Sequence, residues 1–207
     1  MTPRPLLAQS TQKRVILVAG FGASTQIDDE RFVEKRRKTF AGQHVSFFNN
    51  ELYLNRDRVL KAIQQADIFF YSGHSGTPSS MPGFQVLLAK PTGGSDKGFV
   101  TAAQIRDALR GKIGPRLVIV NGCSTTDEND GVAEENRLSN GFGIKAGTEG
   151  RAYLGWSKSI PGFLADDQIG RLLDAWTAAG NPTIEEARQS VGIENLDILG
   201  DKGLRYR

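Results

Sequence analysis

One cysteine and two histidines are the only thiol and imidazoles in the 207-residue chain, and two of these three residues sit in matching surroundings. Cys123 closes the run Val120-Asn121-Gly122-Cys123, and His74 closes Tyr71-Ser72-Gly73-His74. Each follows a glycine, which lets backbone approach a ligand closely, and each comes just after a short apolar run. A thiol becomes a strong nucleophile once a base takes its proton, and an imidazole can do so near neutral pH. The pair would suit acyl transfer. A plainer alternative stays open, in which the cysteine packs as a small hydrophobe and the histidine as a satisfied polar group. His44 has no comparable setting.

Something must hold these two ends together. Residues 14–21 (RVILVAGF), 45–48 (VSFF), 67–71 (DIFFY), 116–120 (RLVIV) and 152–156 (AYLGW) are short apolar stretches of the kind that form strands buried on both faces of a parallel sheet. Helical patterns separate them over 28–42, 55–65 and 101–110, the last with Thr101 as N-cap and Gly111 as a stop. Ile169, Leu172, Leu173 and Trp176 mark another helix at i, i+3, i+4, i+7 spacing, and Thr183 with Glu186 reads as the capping box of one more. The alternation predicts an α/β three-layer sandwich: a mostly parallel central sheet with helices on both faces. In such sheets chemistry gathers at the carboxyl ends of the strands, where His74 and Cys123 both fall. Residues 1–13 read as an N-terminal extension and 14–207 as a single domain. The polar stretch 124–150 is long for a connection and is expected to be a solvated functional or mobile loop.

Composition narrows the function classes. Lys and Arg outnumber Asp and Glu by 26 to 23, too even a balance for a nucleic-acid surface. The densest basic cluster, Glu34-Lys35-Arg36-Arg37-Lys38, has no interleaved aromatics and reads as a solvated helix face. A single cysteine excludes an intrachain disulfide framework and a thiolate-rich metal site. No apolar run suits a signal peptide or a membrane span, so a cytoplasmic protein is expected. Gly20-Phe-Gly22-Ala-Ser-Thr25 half-matches a dinucleotide fingerprint, but Thr25 stands for the third glycine and no acid closes the second strand. A nucleotide binder is kept as an alternative on that motif. No cofactor is expected; calcium at Asp127-Glu-Asn-Asp130-Gly stays open, although the full EF-hand spacing is absent.

The two chemical segments resemble the caspase-like cysteine peptidases, the caspase/haemoglobinase fold that includes caspases, metacaspases, separases, gingipains and bacterial CHAT domains. Tyr71-Ser-Gly-His74 is similar to the metacaspase and CHAT histidine motif, and Asn121-Gly-Cys123-Ser124 to the separase cysteine motif. Residues 99–120, the stretch from 152 to 190, and Leu199-Gly-Asp201-Lys-Gly-Leu204 resemble further parts of these domains in the right order. The resemblance implies a cysteine endopeptidase with a His74/Cys123 dyad and a thioester acyl-enzyme. It implies an oxyanion hole from the backbone N–H groups of Ser75 or Gly76 and of Cys123. Ser75 stands where the family has glycine. Gly155, Trp156 and Ser157 would pair with a substrate strand, Trp156 walling the cleft. Asn121 stands where metacaspases carry an S1 aspartate. Asp28, Asp29 and the acids of 124–150 would favour a basic P1 residue. A protein or peptide substrate follows, together with a regulatory partner or larger multidomain context and no membrane. The competing expectation is a caspase-fold scaffold module with little or no turnover.

Overall fold

A computed structural model describes residues 12–20, 34–48 and 55–206. The expected extension, the acids Asp28 and Asp29, and all of the Gly20–Thr25 motif except Gly20 lie outside the described residues. Strands β1 (Arg14–Ala19), β2 (His44–Phe48), β3 (Ile68–Ser72), β7 (Leu117–Asn121), β8 (Ala152–Trp156) and β9 (Leu196–Gly200) form a six-stranded sheet in the order β2-β1-β3-β7-β8-β9. All neighbours pair in parallel except β8 with β9. Helices are α1 (34–39), α2 (Arg56–Gln65), α3 (Ala102–Ala108), α4 (Leu138–Gly141), α5 (Gly162–Trp176) and α6 (Ile184–Val191).

The strands divide their side chains by the period-two rule. Val15, Leu17, Ile68, Phe70, Leu117 and Ile119 face one core with α5 and α6, while Ile16, Val18, Phe69, Tyr71, Val118 and Val120 face the other with α2, α3 and α4. Helices on both faces of a mostly parallel sheet make the expected α/β sandwich. On the first face, Ile169, Leu172, Leu173 and Trp176 are all buried, as their spacing predicts. The Trp176 indole N–H donates to the Leu204 carbonyl at 3.0 Å and its ring meets Tyr206 edge-on, which ties the end of the chain to α5. Both predicted caps form: Thr101 and Gln104 exchange bonds at the head of α3, as Thr183 and Glu186 do at α6.

Four features differ from the sequence expectation. A second sheet of three short antiparallel strands, β4 (Ser75–Gly76), β5 (Val86–Leu88) and β6 (Phe99–Thr101), follows His74. Strand β9 adds an antiparallel edge. Arg36 does not lie on a solvated face: it is 1% exposed beneath α5, where Gly170 leaves room for its guanidinium. Burial draws its pKa down, opposed by the charges of Asp174, Asp166 and Asp167 on α5.

Nor is 124–150 a solvated loop. It carries a turn of 3-10 helix (Glu134–Asn136) and α4, and it inserts Leu138, Phe142 and Ile144 into the second core. Arg137 anchors it, donating to the Asp127 carbonyl at 2.8 Å and pairing with Asp130 at 3.2 Å, the two side chains being 14% and 9% exposed. Removing the cation strands a buried carboxylate, which costs about 3 kcal/mol. Arg137→Ala should lower the urea-unfolding free energy by about that much and open 124–137 to limited proteolysis. A variant as stable and as resistant as the parent would refute this role.

Candidate functional site

The register of β3 against β7 sets the geometry of the carboxyl edge. Ile68 pairs with Leu117 and Ser72 with Asn121, a constant offset of 49 residues. His74 and Cys123 are also 49 apart (123 − 74), so each lies two residues past the last pair of adjacent parallel strands. The structure therefore places both predicted residues just past the carboxyl ends of two adjacent parallel strands.

Glycines allow the turns beyond these strands to interlock. A Cβ on Gly122 would stand 2.0 Å from Ser75 Oγ and 2.5 Å from the Gly73 carbonyl oxygen, and one on Gly76 would stand 2.9 Å from the Cys123 carbonyl oxygen. Gly76 also has φ +115°, which a residue with a Cβ rarely adopts. Gly73 donates its N–H to the Asn121 carbonyl at 3.2 Å. Beneath them lies Tyr71, fully buried, whose hydroxyl donates to the His74 carbonyl at 2.6 Å and accepts from the Leu88 N–H at 3.1 Å. Burial raises its pKa, so the phenol stays protonated and able to donate. The ring occupies the space that a Cβ on Gly20 would fill, at 2.2 Å. This close packing explains the first glycine of the half-matched nucleotide motif without a nucleotide. The His74 side chain is exposed, and Cys123 is partly exposed and free.

Behind Cys123 lies a polar network. Asn121, 5% exposed, donates from Nδ2 to Asp166 Oδ1 at 2.5 Å and to Ser72 Oγ at 3.2 Å, and its Oδ1 accepts from the Trp156 indole N–H at 2.9 Å. Ser72 Oγ donates to the same Asp166 oxygen at 3.2 Å. Asp166, on α5, is the site residue that sequence reasoning missed: nothing in the pattern of α5 separates it from Asp167. Trp156, expected to wall the cleft, is fully buried in the first core.

The edge of β8 expected to receive a substrate strand is already engaged. Thr126 N–H donates to the Trp156 carbonyl at 3.1 Å, Ser124 N–H to the Lys158 carbonyl at 3.5 Å, and Trp156 N–H to Thr125 Oγ1 at 3.2 Å. Gly155 makes this possible, since a Cβ there would lie 2.4 Å from Thr125 Oγ1. Ser157 donates its N–H to the Asn195 carbonyl at 2.9 Å on the other side. Ser124, directly after the cysteine, has φ +48°. In the acidic stretch, Asp130 is committed to Arg137, Gln85 and the Val132 N–H, whereas Glu128, Glu134 and Glu135 are exposed. Among the described residues no three His, Cys, Asp or Glu side chains cluster as a metal site, and no helix is long and apolar enough to cross a membrane.

No protein-family model matches the sequence, and no curated protein matches it. The backbone does match solved structures. Separase from Saccharomyces cerevisiae, in its complex with securin, superposes with a TM-score of 0.56 over 93% of this chain at 12% identity. The fold is the caspase/haemoglobinase fold. The matched region is 12% of the separase chain. A secreted C11 cysteine protease from Bacteroides thetaiotaomicron, solved with an irreversible peptide inhibitor, gives a TM-score of 0.48 at 12% identity over 86% of this chain and 57% of that one. In this caspase-like frame the loops after β3 and β7 carry His74 and Cys123, and α5 brings Asp166 up behind them.

Two substitutions test the network. Asn121→Asp would set a second carboxylate against Asp166 and remove the shared donor. The pair's upper pKa should then rise above the ordinary aspartate value near 3.9. The variant should lose about 2 kcal/mol at pH 7.5, and the loss should shrink as pH falls through the raised pKa; a pH-independent loss would contradict this account. Ser75 Oγ is buried with no hydrogen-bond partner among the described residues. Ser75→Ala, which relieves that desolvation, should leave thermal stability unchanged or raise it by about 1 kcal/mol. A clear loss would show that the hydroxyl has a partner after all.

Proposed function

We propose that the chain is a cysteine endopeptidase. The observation that carries the reading is the shared 49-residue offset: an exposed histidine and a free thiol each stand two residues past the last register pair of adjacent parallel strands. Cys123 Sγ, deprotonated with His74 as base, attacks the scissile carbonyl. The tetrahedral oxyanion collapses to a thioester as His74 protonates the leaving amine, and water then hydrolyses the acyl-enzyme. The Cys123 N–H is one oxyanion donor. The Ser75 N–H is the second: with Leu88 donating to His74, the alternation of an antiparallel ladder directs the Gly76 N–H toward β5 and the Ser75 N–H away from it. Each donor supplies about 3 kcal/mol of transition-state stabilisation.

Asp166 supports a basic P1 residue. Asn121 occupies the position of the S1 aspartate but carries no charge; it holds instead a carboxylate from α5, two hydrogen bonds locking Asp166 Oδ1 just behind the cysteine strand. A guanidinium or ammonium reaching past Cys123 would meet that group. The engaged edge of β8 supports a regulated enzyme, since the Trp156 and Lys158 carbonyls become available to a substrate strand only when Ser124–Thr126 moves aside. The same observation favours the second reading, a caspase-fold module that binds partners without turnover.

Digestion of a diverse peptide pool under reducing conditions, with and without calcium, separates the readings. The parent should cut after Arg or Lys, Cys123→Ala should abolish the cuts, and Asp166→Asn should lower the kcat/KM for basic P1 peptides by about a hundredfold. Cuts that survive Cys123→Ala would rule out the dyad. Cys123-dependent cuts after other residues would keep the peptidase and reject the Asp166 role.

A further inference from the structure

The opposite end of the sheet carries a second concave site. A cavity of about 520 Å³ opens between α3, α4 and the amino ends of β7 and β8. It lies one strand length, about 17 Å, from the carboxyl edge that bears Cys123. Its charged lining is five cations, Arg106, Arg110, Lys112, Lys145 and Arg151, against one carboxylate, Asp107. In a protein with a net charge of only +3 this is a marked concentration.

The hydrogen bonds show how little of that charge is neutralised. Among the described residues only Arg110 of these cations has an anionic partner, pairing with Asp107 at 2.5 Å. Arg106 donates to the Glu135 carbonyl at 2.7 Å and to Asn140 Oδ1 at 3.0 Å. Arg151 donates to the carbonyls of Pro115 at 3.0 Å and Phe142 at 2.8 Å. Neutral acceptors fix both guanidinium forks in place without cancelling their charge. Arg151 is half-buried, and its pKa is lowered by burial alone, with no carboxylate among the described residues acting on it. The cleft accommodates the side chain because residue 114 is glycine: a Cβ there would stand 2.6 Å from Arg151 Nη2. Lys112 and Lys145 are exposed at the cavity. The cavity thus combines two oriented guanidinium groups with two mobile ammonium groups, in a volume suited to a small ligand.

We propose that this cavity binds a small multivalent anion of phosphate chemistry, a chain of linked phosphates. Guanidinium forks recognise phosphate oxygens in pairs, and lysines add point charge at the mouth. A bound polyanion would supply the counter-charge that Arg151 lacks.

Titration calorimetry of the whole chain with sodium tripolyphosphate at physiological salt tests the proposal. A single site is expected, inorganic phosphate binding far more weakly. The double variant Lys112→Gln/Lys145→Gln should weaken binding by about tenfold, and Lys61→Gln/Lys97→Gln, the same charge change at exposed positions elsewhere, should not. Adenosine triphosphate binding as tightly as tripolyphosphate would show that the phosphate chain is what is read and that a nucleoside is tolerated; its exclusion would restrict the site to the inorganic chain. Absence of binding would overturn the proposal. So would equal weakening in both double variants, because the effect would then be general screening of the protein's charge.

Discussion

The parallel pairing of β3 with β7 is the constraint on which the carboxyl edge depends. Five register pairs, from Ile68–Leu117 to Ser72–Asn121, fix the height at which each chain leaves the sheet. The turns beyond them can then touch only if side chains are absent, which is why Gly73, Gly76 and Gly122 crowd the crossing. A slip of one residue would reverse every inward and outward side chain of a strand buried on both faces. It would turn Phe69 and Tyr71 toward the wrong helices and shift the strand ends that carry His74 and Cys123 against each other. Hydrophobic burial thus enforces the alignment of two polar groups that gain nothing from it thermodynamically.

Polar groups take over where the apolar strands end. Tyr71 and Trp156 share a role: each buries its ring in one of the two cores and sends a single polar atom toward the edge, Tyr71 to the His74 carbonyl and Trp156 to Asn121. Such residues join the rigid interior to the loops at low entropic cost. Asn121 then acts as a hub because an amide can donate and accept at once. A carboxylate in its place could not donate to Asp166.

Much of this was legible in the sequence. Residues 152–156 form the strand that their apolar run predicts, β1, β2, β3 and β7 lie within two residues of their predicted bounds, and the N-cap at Thr101 and the capping box at Thr183 are as expected. The positions of His74 and Cys123 at strand ends were readable because glycine and polar residues follow β-branched runs. What escaped has physical causes. Strands β4–β6 are two or three residues long, too short to show a period. Stretch 124–150 is polar on average, yet Leu138, Phe142 and Ile144 pack it into the second core. Arg36 is a cation whose burial depends on α5, more than a hundred residues later. Asp166 becomes special only when folding carries it to Asn121.

The two arms of the site rest on different supports. Cys123 continues directly from β7, the centre of the six-stranded sheet, and is held from behind by Asn121. His74 sits where the chain leaves that sheet to enter the small β4-β5-β6 ribbon, with its carbonyl bonded to β5 through Leu88 and to Tyr71. A ribbon of such short strands opens at lower free energy than the main sheet. Amide exchange at Leu87 and Leu88 would therefore outpace exchange at Ile119 and Val120, and the imidazole would visit states in which the thiol stands alone while the rest of the protein stays folded. The proposed chemistry would then be sensitive to whatever grips or loosens that ribbon, a lever placed outside the hydrophobic core and adjustable without touching it.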